Sequence, residues 1–146
     1  MTQKVINIGG NANDGSGDSL RAAYTKSNEN FSELYAVVSN MRDFVNNAQS
    51  AAYILVATDN GKMINITTGG VTVDAGIFSA GNNIRIYNNS SSSQTIGVGT
   101  GVTMYLAGTS SICNQPGDTF TLAQRGFVTI VCVAVNTFVI SGSGLT

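Results

Sequence analysis

Residues 127–142 read FVTIVCVAVNTFVISG and hold the longest apolar stretch of the chain. The run from Phe127 to Val135 is strand-length and largely β-branched, so it predicts a buried β-strand. Asn136 and Thr137 then separate it from a second run, TFVISG, as the turn of a β-hairpin would. The stretch therefore predicts that the C-terminal part of the chain contains a β-hairpin.

Short alternating or β-branched runs continue upstream from this hairpin to about Tyr53. Between turn-forming residues stand YILVA, KMINI, VTV, NIRIYN, QTIGV, VTMYL and FTLA. Asn60 and Gly61 predict a second hairpin, which would join the first two of these runs. So many short strands predict an antiparallel β-sandwich or barrel over residues 53–146.

A heptad pattern occupies residues 18–52, immediately before the strand pattern. Asp18 stands where a helix N-cap would, and charged or amide side chains separate the apolar positions. This period predicts a helix from Asp18 to about Asn47 that forms a parallel coiled coil, whose number of strands the pattern leaves open. An amphipathic helix folded onto the chain's own sheet is the alternative. The oligomer seam of the coiled coil would consist of Leu20, Tyr24, Phe31, Leu34, Val38, Met41 and Val45.

Residues 1–17 form a leader with one apolar cluster, Val5, Ile6 and Ile8, followed by the turn formers GGNANDGSG. The leader has no periodicity, so by itself it predicts a flexible, extended arm. Such an arm is either a linker or a segment that becomes ordered on a partner, for example by strand addition through KVINI.

The chain of 146 residues carries seven basic residues, eight acidic residues and no histidine, which is little charge for a soluble protein. Beyond residue 50 three charges of each sign remain, so we expect no nucleic-acid partner. No apolar run reaches the length of a membrane span and the N-terminus has no signal-like region. We therefore expect that the protein does not insert into a membrane and that it is synthesised in the cytoplasm of the producing cell.

No group of residues has the pattern of a catalytic or metal site. Without histidine the serines lack an activating base, and the aspartates beyond residue 50 are scattered. Cys113 and Cys132 lack further ligands at zinc spacing, and Cys132 reads as a buried apolar residue. Asp14 and Asp18 stand among glycines without the spacing of a calcium loop. We expect neither an enzyme nor a cofactor.

The segment INIGGNANDGSGDSLRAAYTKSNENFSELY, residues 6–35, resembles a stretch near the start of many tailed-bacteriophage virion proteins. The shared pattern is N-x-G-x-x-x-N-D-G-(S/T)-G-D-x-L-R-x-A-(F/Y)-x-K-x-N-x-N-F-x-E-L-Y. The C-terminal half is similar to β-domains of phage fibre and appendage proteins that end in an A-x-N-x-(W/F)-V-I-S-G hairpin. Phe138 takes the aromatic position here. The resemblance implies a structural protein of the phage particle, and fibre-like phage proteins are usually homotrimers.

From this resemblance we expect a virion surface protein in three parts. Residues 18–52 would tie the copies together and residues 53–146 would project outward. Residues 1–17 would attach the chain to another virion protein. The anchoring residues of this arm and its junction with the helix would be Val5, Ile6, Ile8, Asn13, Asp14, Asp18 and Arg21.

We favour a capsid decoration protein or head fibre bound to the major capsid protein, because the chain is short for a fibre that must reach a host. The alternative is a tail fibre or baseplate appendage with a receptor-binding β-domain. In that alternative, the loops at 88–94 and 110–118 would contact the host cell surface. The contact residues would be Asn88, Ser91, Asn114 and Gln115.

Overall fold

The computed structural model describes residues 3–11 and 14–146, and for residues 40–42 it describes the backbone alone. The chain divides into two compact units, and the division falls between Asp43 and Phe44. We call residues up to Asp43 the N-terminal unit and the remainder the β unit. None of the described residues form a helix with the length and apolar character that crossing a bilayer requires.

The N-terminal unit contains the helix α1, Leu20–Arg42. Its N-cap is Ser19, whose hydroxyl oxygen accepts a hydrogen bond of 3.2 Å from the backbone N–H of Ala22. The predicted N-cap, Asp18, is therefore wrong by one residue, and the helix ends before the predicted Asn47. The helix stops early because the chain enters the sheet at Val45, whose carbonyl accepts a hydrogen bond of 3.0 Å from the N–H of Met63.

The β unit contains ten strands among the described residues. They are β1 Asn46–Gln49, β2 Tyr53–Ile54, β3 Met63–Ile66, β4 Val71–Val73, β5 Asn83–Asn88, β6 Gln94–Val98, β7 Thr103–Leu106, β8 Ile112–Cys113, β9 Thr119–Ala134 and β10 Thr137–Leu145. A short 3-10 helix, Ala57–Asp59, follows β2.

The first six strands wind in successive coils, each of which adds one strand to each of two parallel arms. In the first arm β1 pairs with β3 and β3 with β5, and all three run parallel. In the second arm β2 pairs with β4 and β4 with β6, again in parallel. The loops between paired strands of one arm are therefore crossovers through the other arm, as parallel pairing requires.

The long strand β9 closes both arms. Its first part pairs antiparallel with β6, from Gln94↔Leu122 to Gly97↔Thr119. Its second part pairs antiparallel with β5, from Asn83↔Val131 to Tyr87↔Phe127. Arg125, between the two parts, has a φ of 61°, a left-handed conformation that marks the change of direction. β10 then pairs antiparallel with β9, β7 parallel with β10, and β8 antiparallel with β7.

The core lies between the two arms and is lined by alternate residues of their strands. Ile64 and Ile66 of β3 face it from one arm, and Val71 and Val73 of β4 complete the same cluster. Cys132 is fully buried in this cluster, which confirms its predicted role as an apolar residue, and both cysteines are free thiols. The fold thus follows the period-two burial pattern of strands.

The predicted fold class is wrong in two respects. The sheet is mixed, with parallel arms closed by antiparallel strands, so it is not the predicted antiparallel sandwich or barrel. The predicted parallel coiled coil is not found: the described residues form a single helix that ends at Arg42, short of the end of the heptad pattern. Residues that continued the heptads, such as Ala48, lie in β1 instead.

Most of the individual strands were predicted correctly, but their pairing was not. Every run that the sequence identified contains a strand, with FTLA and FVTIVCVAV merged into β9. The hairpin at Asn136 is confirmed, and Asn136 takes a left-handed φ of 53°. The hairpin at Asn60 and Gly61 is wrong, since β2 pairs with β4 and the turn instead follows the 3-10 helix. Strands β1 and β8 were not predicted.

We expect Gly70→Ala to destabilise the β unit much more than Gly101→Ala. Both glycines have a left-handed φ, 75° and 79°, so alanine costs about 1–2 kcal/mol at either site. At Gly70 a Cβ would also lie 2.4 Å from Thr95 Oγ1 and 2.6 Å from Thr95 O, whereas nothing lies within 4 Å at Gly101. The clash raises the expected loss for Gly70→Ala to about 2–5 kcal/mol. Urea unfolding followed by far-UV circular dichroism measures both, and equal losses would contradict the close approach of β4 and β6.

Candidate functional site

The segment at residues 6–35 lies in the N-terminal unit, where the leader folds back beside the helix. The N–H of Lys4 donates to Asn30 Oδ1 over 2.8 Å, and Asn30 Nδ2 donates to the carbonyl of Lys4 over 2.9 Å. Lys26 Nζ donates to the carbonyl of Val5 over 3.0 Å. The described part of the leader therefore forms hydrogen bonds with α1 through Lys4 and Val5.

Asp14 holds a tight loop together. Its Oδ2 accepts hydrogen bonds from the N–H groups of Gly10 and Asn11, at 3.0 and 2.7 Å. Its Oδ1 accepts from the N–H and the hydroxyl of Ser16, at 2.8 and 2.7 Å. These donors, first the backbone N–H of Ser16, lower the pKa of Asp14 to about 2. The carboxylate has its acceptor sites filled by its own loop.

Asp18 closes the base of the same loop. Its Oδ2 accepts hydrogen bonds from Lys26 Nζ at 2.6 Å and from the N–H of Asn7 at 2.8 Å. The N–H of Asp18 donates in return to the carbonyl of Asn7 over 2.7 Å. The ammonium of Lys26, followed by the N–H of Asn7, holds the pKa of Asp18 below its usual value. Asn7 and Asp18 thus join the two ends of the loop where the helix begins.

Gly9 is needed for this closure. It has a φ of +79°, and a Cβ there would lie 2.9 Å from Asp14 Oδ1. The N–H of Gly9 also donates to Asn7 Oδ1 over 3.0 Å. A side chain at this position would displace the carboxylate that organises the loop.

The predicted anchoring residues divide into two groups. Asp14 and Asp18 are engaged within the unit, whereas Val5 and Ile8 are exposed, with Ile8 at 90%. Ile6 is half-buried, Arg21 is exposed on the first turn of α1, and Asn13 lies outside the described residues. The exposed members of the predicted anchor are therefore two apolar side chains, Val5 and Ile8, and one cation, Arg21. In the part of the chain that the structure describes, there is no cluster of three side chains able to hold a metal ion.

Five residues of the predicted seam line α1 with exposed side chains: Leu20, Tyr24, Phe31, Leu34 and Val38. Tyr35, which the heptad pattern left out, is also exposed, at 70%. The side chain of Met41 lies outside the described residues, and Val45 belongs to the β unit, where it cannot continue a helical seam. That the five face another chain stays a prediction.

The predicted ligand loops of the β unit do not form one surface. The loop at 88–94 precedes β6, and the loop at 110–118 leads into β9. Because Gln94 pairs with Leu122 while Gly97 pairs with Thr119, the loops lie at opposite ends of this strand pair. Their separation along the strands is on the order of 10 Å.

The residues chosen within these loops also differ in accessibility. Asn88 is fully buried, and its Nδ2 donates to the carbonyls of Ser92, Leu122 and Ala123 at 2.8–3.0 Å. Ser91, Asn114 and Gln115 are exposed. The N–H groups of the last two donate to Asp118 Oδ2 and so order their own turn. Asn88 is therefore a structural residue that joins its loop to β9.

Sequence reasoning missed a buried polar network around Asp59 in the first coil of the β unit. Asp59 is fully buried, and its carboxylate accepts from Tyr53 Oη at 2.9 Å, Asn47 Nδ2 at 2.9 Å and the N–H of Val56 at 3.0 Å. Lys62 Nζ lies 3.6 Å from Asp59 Oδ1. Burial and then the hydrogen bond to Asp59 raise the pKa of Tyr53. The sequence pattern did not indicate this role, because Asp59 directly precedes the pair Asn60–Gly61, which is typical of a turn.

No protein-family model matches this chain, and comparison with curated proteins finds no match.

We expect acid to open the Asp14 loop between about pH 4 and pH 2. The pKa of Asp14 falls from about 3.9 in an unfolded chain to about 2 in the fold, so its stabilising effect is complete above the first value and lost as the pH falls through the second. Amide NMR shifts of Gly10 and Asn11 in the full chain follow this step. The variant Asp14→Asn should lack it, and a midpoint near 4 in the unsubstituted chain would contradict the loop geometry.

We expect Asp59→Asn to destabilise the β unit by about 2–4 kcal/mol, because three donors and the Lys62 ammonium lose a buried carboxylate partner. Tyr53→Phe removes only one donor from the network and should cost about 1 kcal/mol. Urea unfolding of both variants measures the difference. A loss for Asp59→Asn no larger than that for Tyr53→Phe would show that the carboxylate is not the centre of the network.

Proposed function

We propose that this chain is a non-enzymatic structural protein of a tailed-bacteriophage virion, attached through its N-terminal unit with the β unit facing solvent. The observation that carries the proposal is the network around Asp14 and Asp18. Of the positions that carry the resemblance, it contains Asn7, Gly9, Asp14, Asp18 and Lys26. A shared pattern whose members bond to one another describes a folding unit, which supports reading the resemblance as more than a coincidence of composition.

The N-terminal unit has the surface expected of an attachment module. Its carboxylates Asp14 and Asp18 are occupied within the loop, and its exposed side chains include the apolar residues Val5 and Ile8 of the leader. Large apolar side chains that stay exposed on so small a unit are compatible with an interaction surface. We therefore assign attachment to the apolar side chains of the leader and α1, and a structural role to the two aspartates.

A position on the capsid, as a decoration protein or head fibre on the major capsid protein, is favoured over a receptor-binding position on the tail or baseplate. A receptor tip would gather its contact loops at one end of the β unit. The loops at 88–94 and 110–118 lie at opposite ends of the β6–β9 pair, and Asn88 is buried. As the resemblance implies, the proposal includes several copies of the chain associating as a homotrimer on the particle surface after synthesis in the host cytoplasm.

Immunogold labelling of intact virions with an antibody against the β unit tests the location. Label spread over the head would support the decoration role, and label confined to the tail would support a fibre or baseplate role. Virions of a phage that lacks the gene provide the control for nonspecific binding. No label above that control would contradict a virion surface protein of either kind.

We expect Ile8→Asp to reduce the amount of this protein on purified particles about tenfold or more. An unpaired charge in an apolar contact costs upward of about 1.4 kcal/mol, which corresponds to that factor. Ser32→Asp adds the same charge at an exposed site of α1 and serves as the matched control. Quantitative mass spectrometry of particles measures the bound copies, and normal incorporation of Ile8→Asp would contradict attachment through the leader.

A further inference from the structure

The first arm contains a buried hydrogen-bond acceptor that no donor of the chain reaches. Asn65 stands on the outer side of β3, because Ile64 and Ile66 beside it face the core. Its Oδ1 atom is buried and accepts no hydrogen bond from the described residues. A buried polar atom without a hydrogen bond costs the free energy of its desolvation, so native proteins keep few of them. A donor from outside the chain would therefore bind favourably at this atom.

Asn65 lines a polar pocket at the end of the first arm. The strands β1, β3 and β5 are parallel and end in register. Beyond their ends the N–H of Thr67 donates to the carbonyl of Gln49 over 2.9 Å. The N–H of Asn89 donates in the same way to the carbonyl of Ile66 over 2.8 Å. The pocket that results encloses about 250 Å³ and is lined by Ala48, Gln49, Ser50, Asn65, Thr67 and Asn89.

The pocket offers uncharged donors and acceptors of hydrogen bonds. Ser50 is exposed, and its hydroxyl can both donate and accept. The hydroxyl of Thr67 donates to the carbonyl of Gln49 over 3.2 Å, so a lone pair remains to accept from a ligand. Asn89 Oδ1 accepts from Arg125 Nη1, so the Nδ2 group is the part of this amide that can donate. A neutral ligand that carries several hydroxyl groups has the complementary chemistry.

Aromatic side chains continue the row in which Asn65 stands. Asn65 pairs with Tyr87 of β5, and Tyr87 pairs with Phe127 of β9, so the three lie side by side on the outer side of the sheet. Tyr87 is half-buried, and Phe127 is exposed by 39%. A sugar ring carries C–H groups on its faces and hydroxyl groups at its rim. Apolar rings beside amide and hydroxyl groups are therefore suitable neighbours for it.

We propose that this pocket binds one neutral sugar residue, with a sugar hydroxyl donating to Asn65 Oδ1. A volume of 250 Å³ corresponds to roughly eight water molecules at ~30 Å³ each, so it accommodates one ring. An anionic ligand would meet no positive charge in the lining, and the guanidinium of Arg125 at the rim is already bonded to Asn89. The inference concerns the β unit alone and adds a binding activity to the proposed function, on which it does not depend.

Titration of the full ¹⁵N-labelled chain with glucose, galactose, mannose and N-acetylglucosamine tests this site. At least one of the four sugars should move the backbone amide resonances of Ser50, Thr67 and Asn89 in a saturable way. We expect a Kd of about 1–10 mM, because a small open pocket makes few contacts. The amide of Thr121, which lies on the part of β9 that pairs with β6, is the internal control and should not shift.

Three variants connect the binding to the pocket. Asn65→Leu keeps a similar side-chain volume but removes the acceptor, and it should weaken binding about tenfold or more. Asn83→Leu is the matched control, because Asn83 Oδ1 is also buried without a donor among the described residues but does not line the pocket. Its Kd should equal that of the unsubstituted chain. Ala48→Leu fills the pocket without removing a polar group and should abolish binding, and far-UV circular dichroism verifies that each variant is folded.

Three results would overturn the proposal. The first is the absence of a saturable shift with all four sugars, as expected if the pocket holds water alone. The second is an equal Kd for Asn65→Leu and Asn83→Leu. The third is unchanged binding by Ala48→Leu. None of these results bears on the incorporation of the chain into particles, so the attachment experiment is judged separately.

Discussion

The closure of the β unit depends on β9, which pairs with the last strand of each parallel arm. The parallel arms end at β5 and β6, each of which would leave an unpaired row of N–H and C=O groups. β9 satisfies both rows, its first part with β6 and its second with β5. The irregular stretch of β9 between the two parts contains Arg125, which has a left-handed backbone. Without that change of direction a single strand would close one arm and leave the other open.

The other end of the arms is held by polar groups instead of a closing strand. β1 is short and polar, and its Asn47 joins Tyr53 on the buried carboxylate of Asp59. The N-terminal unit is also held together by carboxylates that accept several hydrogen bonds. Asp14 and Asp18 lie at the centre of a loop that is too small to bury an apolar core. A buried or saturated carboxylate is favourable only where several donors surround it. The few charges of this chain therefore act largely as local organising centres.

The positions of the strands were predictable from the sequence, because burial alternates residue by residue within each strand. The pairing of the strands was not predictable. A turn such as Asn60–Gly61 can begin either a hairpin or a parallel crossover, and the two differ only in whether the strand after the turn pairs with the strand before it. The end of α1 shows the same limit. The heptad spacing continued through Val45, but the hydrogen bond between Val45 and Met63 decides that this residue belongs to the sheet. Asp14 and Asp18 were predicted as anchoring residues, and their hydrogen bonds within the loop depend on donors that no spacing rule identifies.

The apolar run Phe127 to Val135 predicted a buried strand, and the structure buries only alternate residues of it. Val128, Ile130 and Cys132 face the core, whereas Val131 and Val133 are exposed. The threonines on the outside of the other arm show that this sequence places polar residues where a sheet face meets water. The outer row of β9 combines both kinds of residue, because Thr129 stands between Phe127 and Val131. A run of apolar letters therefore predicts the strand but not the side on which each residue is covered.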